Sequence, residues 1–151
     1  MTTIGNLLGN KADELAKKFL AIGDVHIIQM GKKDGITPKE GNLRNKFFII
    51  LGFDNNGNII GGVVINSSIN YNLPDNVTDY LMPISKKQFP FLEHDSFVNC
   101  SRLKTVSKEK FSRETYRGRV EDEETINLII GTVCESPYVN KYQLKEFGII
   151  K

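Results

Sequence analysis

The stretch from Phe47 to Ile65 reads FFIILGF, DNNGN, IIGGVVI. Two runs of β-branched and aromatic residues flank a turn rich in Asn and Gly, which is the pattern of an antiparallel hairpin. Both runs are apolar throughout instead of alternating, so the strands are expected to be covered on both faces, as at the centre of a small barrel. Gly61 and Gly62 interrupt the second run and predict a bulge or a sharp bend, because a small closed barrel has to turn corners.

Upstream of the hairpin, Asp24 to Met30 (DVHIIQM) reads as a strand and Gly31 to Asn45 (GKKDGITPKEGNLRN) as a long loop broken by Pro38. Long loops in small domains tend to carry function or motion. Before that, Asn10 is positioned to cap a short helix through Leu20. Its apolar groups are Ala12, Leu15, Ala16, Phe19 and Leu20, and Gly23 ends it.

Downstream, Asn66 to Asp79 is polar and irregular, and Leu81–Ile84 and Ser96–Val106 read as further strands. Between them, Lys86 to Asp95 contains Pro90 and a Phe91-Leu92 pair expected to plug the core. Phe111 is an apolar residue in a charged stretch, and Gly118 to Val120 reads as a short last strand. Glu121 to Cys134 is an amphipathic helix that starts with acidic residues, as the helix dipole favours. Its apolar stripe is Ile126, Ile129, Ile130 and Val133. Ser136 and Pro137 end it, and a final helix is expected with Tyr138, Tyr142, Leu144 and Phe147 as its apolar positions.

This order predicts an α+β, mainly β fold, with terminal helices decorating a small barrel. The expected divisions are an N-terminal helical segment (1–22), a barrel (23–120) and C-terminal helices (121–151). The 151 residues suit one domain, and 40% hydrophobic with 25% charged residues is the composition of a globular chain. No apolar run approaches the roughly 18 residues of a membrane span. The first residues show no signal pattern, so a soluble, cytoplasmic chain without membrane contact is expected. Cys100 and Cys134 then read as reduced thiols.

The net charge of +2 does not by itself imply a polyanionic partner. The charge is unevenly distributed, however. Lys86, Lys87, Arg102, Lys104, Lys108, Lys110, Arg113, Arg117 and Arg119 form a basic density ahead of the acidic helix start. It suits a polyanion, or a strand edge protected by cations. In the long loop, Lys32, Lys33 and Lys39 are candidates to grip RNA phosphates, and Tyr71 to stack on a base, with Arg102 and Lys104 as further contacts. The bland alternative is a solvated, charged loop.

Common catalytic signatures are absent: there is no phosphate-binding Gly-x-x-x-x-Gly-Lys loop, no Gly-x-Ser-x-Gly elbow and no paired-cysteine metal spacing. His94 beside Glu93 and Asp95 reads better as loop charge than as a metal site, so neither metal nor cofactor is expected. One grouping does suit chemistry. Arg44 and Lys46 precede the first hairpin strand, Ser67 and Ser68 follow the second, and a hairpin brings its outer ends together. A cation beside a hydroxyl suits a phosphate, since the cation stabilises charge building on phosphorus while the hydroxyl donates to an oxygen. The alternative is serines ending a strand beside solvated cations.

The run Gly23-Asp24-Val25-His26-Ile27-Ile28 resembles the first strand of MazF/PemK-like toxins, followed there too by a loop rich in glycine and charge. Arg44-Asn45-Lys46-Phe47-Phe48 is similar to that family's strand entered through a basic residue. Ile65-Asn66-Ser67-Ser68 is similar to its strand exit, Ser96 to Thr105 loosely to its later strand, and Gly118 to Asp122 to its acidic helix start. The entry through lysine and exit through hydroxyls also resemble the related ToxN/AbiQ toxins.

The resemblance implies an SH3-like barrel, often dimeric. It also implies a metal-independent endoribonuclease that cuts single-stranded RNA to 2′,3′-cyclic phosphate ends, drawn from a toxin–antitoxin or phage-defence system. A protein or RNA antitoxin would restrain it. Arg44 or Lys46 would stabilise the phosphate, and Ser67 or Ser68 would supply the hydroxyl. The chain departs from the pattern where Arg44-Asn45 replaces an Arg-Pro pair and serine replaces threonine. Asn99-Cys100-Ser101-Arg102 supplies no proton-transfer residue. The competing reading is a non-catalytic barrel that binds RNA or a protein partner.

Overall fold

The computed structural model describes residues 20–31, 43–67 and 73–151. The expected N-terminal helix and most of the long glycine-rich loop lie outside the described residues. Six strands form one antiparallel sheet: β1 (Asp24–Met30), β2 (Arg44–Phe53), β3 (Ile59–Asn66), β4 (Leu81–Ile84), β5 (Ser96–Ser107) and β6 (Tyr116–Arg119). Their spatial order is β4-β5-β3-β2-β1-β6. Among the described residues the α-helices are α1 (Asp75–Thr78), α2 (Glu123–Glu135) and α3 (Lys141–Glu146).

The hairpin forms as its residues dictate. β2 and β3 lie in the middle of the sheet, and the apolar run from Phe48 to Leu51 is almost fully buried. The turn closes through Asp54, whose Oδ1 accepts the amides of Asn58 at 2.8 Å and Ile59 at 3.1 Å. Gly57 takes φ +70°, a conformation open to glycine without a steric penalty.

The predicted irregularity falls at the paired glycines. The ladder runs Phe53↔Ile60 and Gly52↔Gly61, shifts, and resumes at Ile50↔Gly62, which leaves Leu51 as the extra residue of a bulge. Close neighbours need both glycines. A Cβ on Gly61 would lie 2.8 Å from Cγ of Phe147, and one on Gly62 would lie 2.1 Å from the Ile49 carbonyl oxygen and 2.7 Å from Cε1 of Phe48.

Alternation along the strands divides the apolar residues between two cores. Val25, Ile49, Val63 and Val98 face one side, where Ile129 and Val133 of α2 and Leu144 and Phe147 beyond it cover them. Ile28, Met30, Phe48, Ile50, Val64 and Phe111 form the other. Both C-terminal helices are started by a side chain: Asp122 accepts the Glu124 amide, and Asn140 and Gln143 form a reciprocal capping box. Ser136 ends α2 and donates its hydroxyl to the Ser101 carbonyl, which ties the helix to β5. Tyr142 does not join the apolar face. It is 76% exposed, because two helical positions from Leu144 point nearly the opposite way.

The sheet is not a closed barrel. Its hydrogen-bonded ladder ends at β4 and β6, and neither edge pairs with the other. The connection after β4 nevertheless reaches the far edge. Phe91 packs against Gly118 of β6, where a Cβ would lie 3.0 Å from its ring, and against Phe47 with ring centroids 5.4 Å apart. Of the expected Phe91-Leu92 plug, Leu92 is buried and Phe91 only partly so, with Phe89 buried beside them. The curl is thus held by side chains and not by strand pairing. At the β4 edge, exposed Pro83 limits further pairing. Among the described residues no helix is long and apolar enough to cross a membrane.

Candidate functional site

The outer end of the hairpin assembles around Lys46. Along β2, Lys46 shares a face with Phe48 and Ile50, and on β1 it stands opposite Ile28. It is only 8% exposed. Burying an ammonium ion carries a large desolvation cost unless oxygen atoms replace its water. One such oxygen is Asn66 Oδ1, the last residue of β3, which accepts from Lys46 Nζ at 2.8 Å. Arg44 is half-buried two positions along the same strand, opposite Met30. Ser67 follows Asn66 immediately and is exposed. A buried cation and a second cation therefore share a face where β2 begins, and the exposed Ser67 follows the last residue of β3.

The bulge decides which residue meets the lysine. Had the register of Gly52↔Gly61 run on unbroken, Lys46 would stand opposite Ser67. The extra residue at Leu51 moves the pairing by one, so Phe48 meets Val64 and the lysine head reaches Asn66. Sequence reading named the serines and missed Asn66. The signal was present in the glycine pair that marks the bulge, but the bulged strand could not be chosen from it.

The other candidates separate from this cluster. Ser68, Lys32, Lys33, Lys39 and Tyr71 lie outside the described residues. Lys104 pairs with Gly62, nearer the hairpin turn than the Lys46 end. Arg102 is exposed and lays its guanidinium 4.4 Å from the centre of the Tyr138 ring. Asn99 turns its Oδ1 back to Ser101, accepting the hydroxyl at 2.6 Å and the amide at 3.1 Å. Asp95, beside His94, accepts the Lys86 amide at 2.8 Å and so organises the turn. Among the described residues no three His, Cys, Asp or Glu side chains gather as a metal set. Both cysteines are free thiols. Burial pushes the Cys100 thiol up to about 12 and that of Cys134 upward as well, which disfavours the nucleophilic thiolate.

His26 is the second polar group buried in the sheet, at 1% exposure. Thr115 Oγ1 donates to the Ser112 carbonyl at 3.0 Å and accepts the Ser112 amide at 3.0 Å. The same oxygen lies 2.8 Å from His26 Nδ1, and the direction of that hydrogen bond follows the imidazole tautomer. Nε2 is buried and without a hydrogen-bond partner. Phe111 and Tyr116 meet the imidazole edge to face. Burial, with the Arg117 guanidinium as a smaller influence, lowers its pKa to about 4.

At the opposite end of β1, a groove of about 540 Å³ opens between residues 88–91 and β6, with Arg117 and Arg119 on one side and Glu121 and Asp122 beside them. Arg119 Nε lies 3.7 Å from Asp24 Oδ1. No protein-family model matches the chain, and no curated protein matches it.

Proposed function

We propose that the protein is a metal-independent endoribonuclease of the toxin kind, built on an SH3-like curl of its sheet and acting on single-stranded RNA. The observation that carries this reading is the pair of cations Lys46 and Arg44 on one face at the outer end of the hairpin, where β3 ends one residue before Ser67. In the reaction the 2′-oxygen of a ribose attacks the adjacent phosphorus and the bond to the 5′-oxygen breaks. The products are a 2′,3′-cyclic phosphate and a 5′-hydroxyl. Charge builds on the non-bridging oxygens, and Lys46 with Arg44 is suited to stabilise it. In this reading Ser67 donates to one of those oxygens. In keeping with the resemblance to MazF/PemK and ToxN/AbiQ toxins, an antitoxin and a homodimer belong to this reading.

A second reading, a non-catalytic module binding RNA or a protein partner, draws on the groove beside β6 and its exposed arginines. The two separate in one experiment. Purified protein is incubated with a long single-stranded RNA in excess chelator, beside Arg44→Ala and Lys46→Met, and fragment ends are analysed. Cyclic phosphate ends that disappear in the variants support the nuclease. Intact RNA that is nevertheless retained by the protein moves the function to binding.

A further inference from the structure

The buried imidazole of His26 is covered by one short stretch of chain. Within the sheet it stands opposite Phe48 of β2, while Phe111 and Tyr116 meet its ring with centroids 5.1 and 5.5 Å away. Thr115 Oγ1 lies 2.8 Å from Nδ1, and the Thr115 carbonyl accepts the Ile27 amide at 2.8 Å. Residues 111–116 thus form a strap between β5 and β6 that is fastened on β1 at His26. The fastening ends at an irregularity. Gly118 pairs with Val25 and Tyr116 with His26, which leaves Arg117 as the extra residue of a bulge. Among the described residues β6 pairs with β1 alone, so lifting the strap leaves the ladders that join β1 to β4 intact.

A protonated imidazole carries two N–H donors. With the strap closed, Nδ1 has Thr115 Oγ1, but Nε2 is buried without a hydrogen-bond partner, so the second donor is left unsatisfied. The charged groups of the surrounding elements do not supply that acceptor. On β1, Asp24 stands two positions away, accepts the Ala21 amide at 2.9 Å and faces Arg119. On β2, Phe48 does not titrate, and Lys46 two positions along is basic. Ahead of the strap, Lys110 Nζ donates to the Gln29 carbonyl at 2.9 Å. The strap and β6 bring the basic Arg113 and Arg117, the phenol of Tyr116 and the exposed carboxylate of Glu114.

We propose that residues 111–116 are an acid-released latch: protonation of His26 opens the strap and exposes Phe111 together with the outer edge of β1. Phe111 is fully buried when the strap is closed, and its ring packs on Phe48 as well as on His26. The histidine pKa of about 4 is the same coupling seen from the proton's side, since a group that binds protons more weakly when closed is opened by them. The latch does not depend on the nuclease reading.

The test is native-state hydrogen exchange by NMR at pH 7 and pH 5, in water and in low urea, on wild type, His26→Gln and His94→Gln. The Ile27 amide reports the strap through its bond to the Thr115 carbonyl. In wild type it exchanges through an opening that urea barely accelerates, below the free energy of global unfolding measured by circular dichroism. Its protection, corrected for the intrinsic rate, falls about twentyfold from pH 7 to pH 5. His26→Gln, neutral across this range, loses the fall. His94→Gln keeps it, because His26 is then the one histidine left of two. Equal protection at both pH values overturns the latch. So does an Ile27 opening with the full urea slope, since the strap would then move only when the whole chain unfolds. A fall that persists in His26→Gln or vanishes in His94→Gln overturns it as well. If His26→Gln does not fold, wild type and the exposed His94→Gln variant still decide the outcome.

Discussion

Lys46 and His26 lie on the same face of the same sheet, with Ile28 and Phe48 between them. At 8% and 1% exposure both are taken out of water. Lys46 reaches the end of the strand pair, where Asn66 supplies an oxygen to its ammonium, whereas His26 stays inside and finds a partner for only one nitrogen. Burial then favours the neutral ring at His26. The comparison shows that a polar group inside a sheet depends on the partners that face it as much as on its depth.

Four experiments break or sharpen that comparison. The largest effect is expected for Lys46→Met. Cleavage should fall by about 10² to 10³, or 3–4 kcal/mol of transition-state stabilisation, as for other electrostatic donors. Stability to urea should stay level or rise, because an apolar side chain of similar volume escapes the desolvation cost. Unimpaired cleavage by this variant would remove Lys46 from the chemistry.

The next concerns His26 and pH. Its folded pKa of about 4 lies below the 6.5 of an exposed histidine, so the unfolded chain binds the extra proton first as the pH falls. Stability contributed by the neutral ring is fully present above pH 6.5 and is lost as the pH drops toward 4. The loss is on the order of 3 kcal/mol, read from urea unfolding midpoints across the window. In His26→Phe the slope across that window should shrink. An equal slope in both proteins would assign the acid sensitivity to other groups.

Thr115→Val should cost about 1–3 kcal/mol, because it leaves His26 Nδ1 and the Ser112 amide without their hydrogen-bond partner. A neutral result in thermal or urea melts would mean that water replaces the hydroxyl and that the site is wetter than its burial suggests. The smallest stability effect belongs to Ser67→Ala, within about 0.5 kcal/mol, since exposed positions contribute little. On the nuclease reading the same variant loses cleavage. A loss of more than about 1 kcal/mol would instead make that hydroxyl part of the strand end.

Where neighbouring residues decide the structure, the sequence was informative. The two apolar runs and the Asn-Gly turn are local signals, and β2 and β3 form around them, extended by Arg44, Asn45 and Lys46 in β2 and by Asn66 in β3. Asp24–Met30 has the predicted bounds, and the stripe of Ile129 and Val133 faces the core. Ambiguity appeared where a residue's position depends on distant packing. Tyr142 and Leu144 are both apolar, yet only Leu144 is buried, because the short helix begins at its Asn140 cap and presents one side to the sheet. The candidate site was legible as a place, the outer end of the hairpin, but not as a set of contacts.

The sequence by itself determined the strands, the hairpin, the capped helices and the glycine pair at which regular pairing breaks. All of these follow from periodicity, turn chemistry and capping within a few residues. Only the tertiary structure decided that the sheet curls without closing, with Phe91 bridging to Gly118. Only there was it decided that Lys46 meets Asn66. Phe147 fills the space over Gly61 and Phe48 the space over Gly62, alongside the Leu51 bulge. One extra residue in one strand changes every cross-strand partner beyond it, and local sequence preferences do not specify which strand carries that residue.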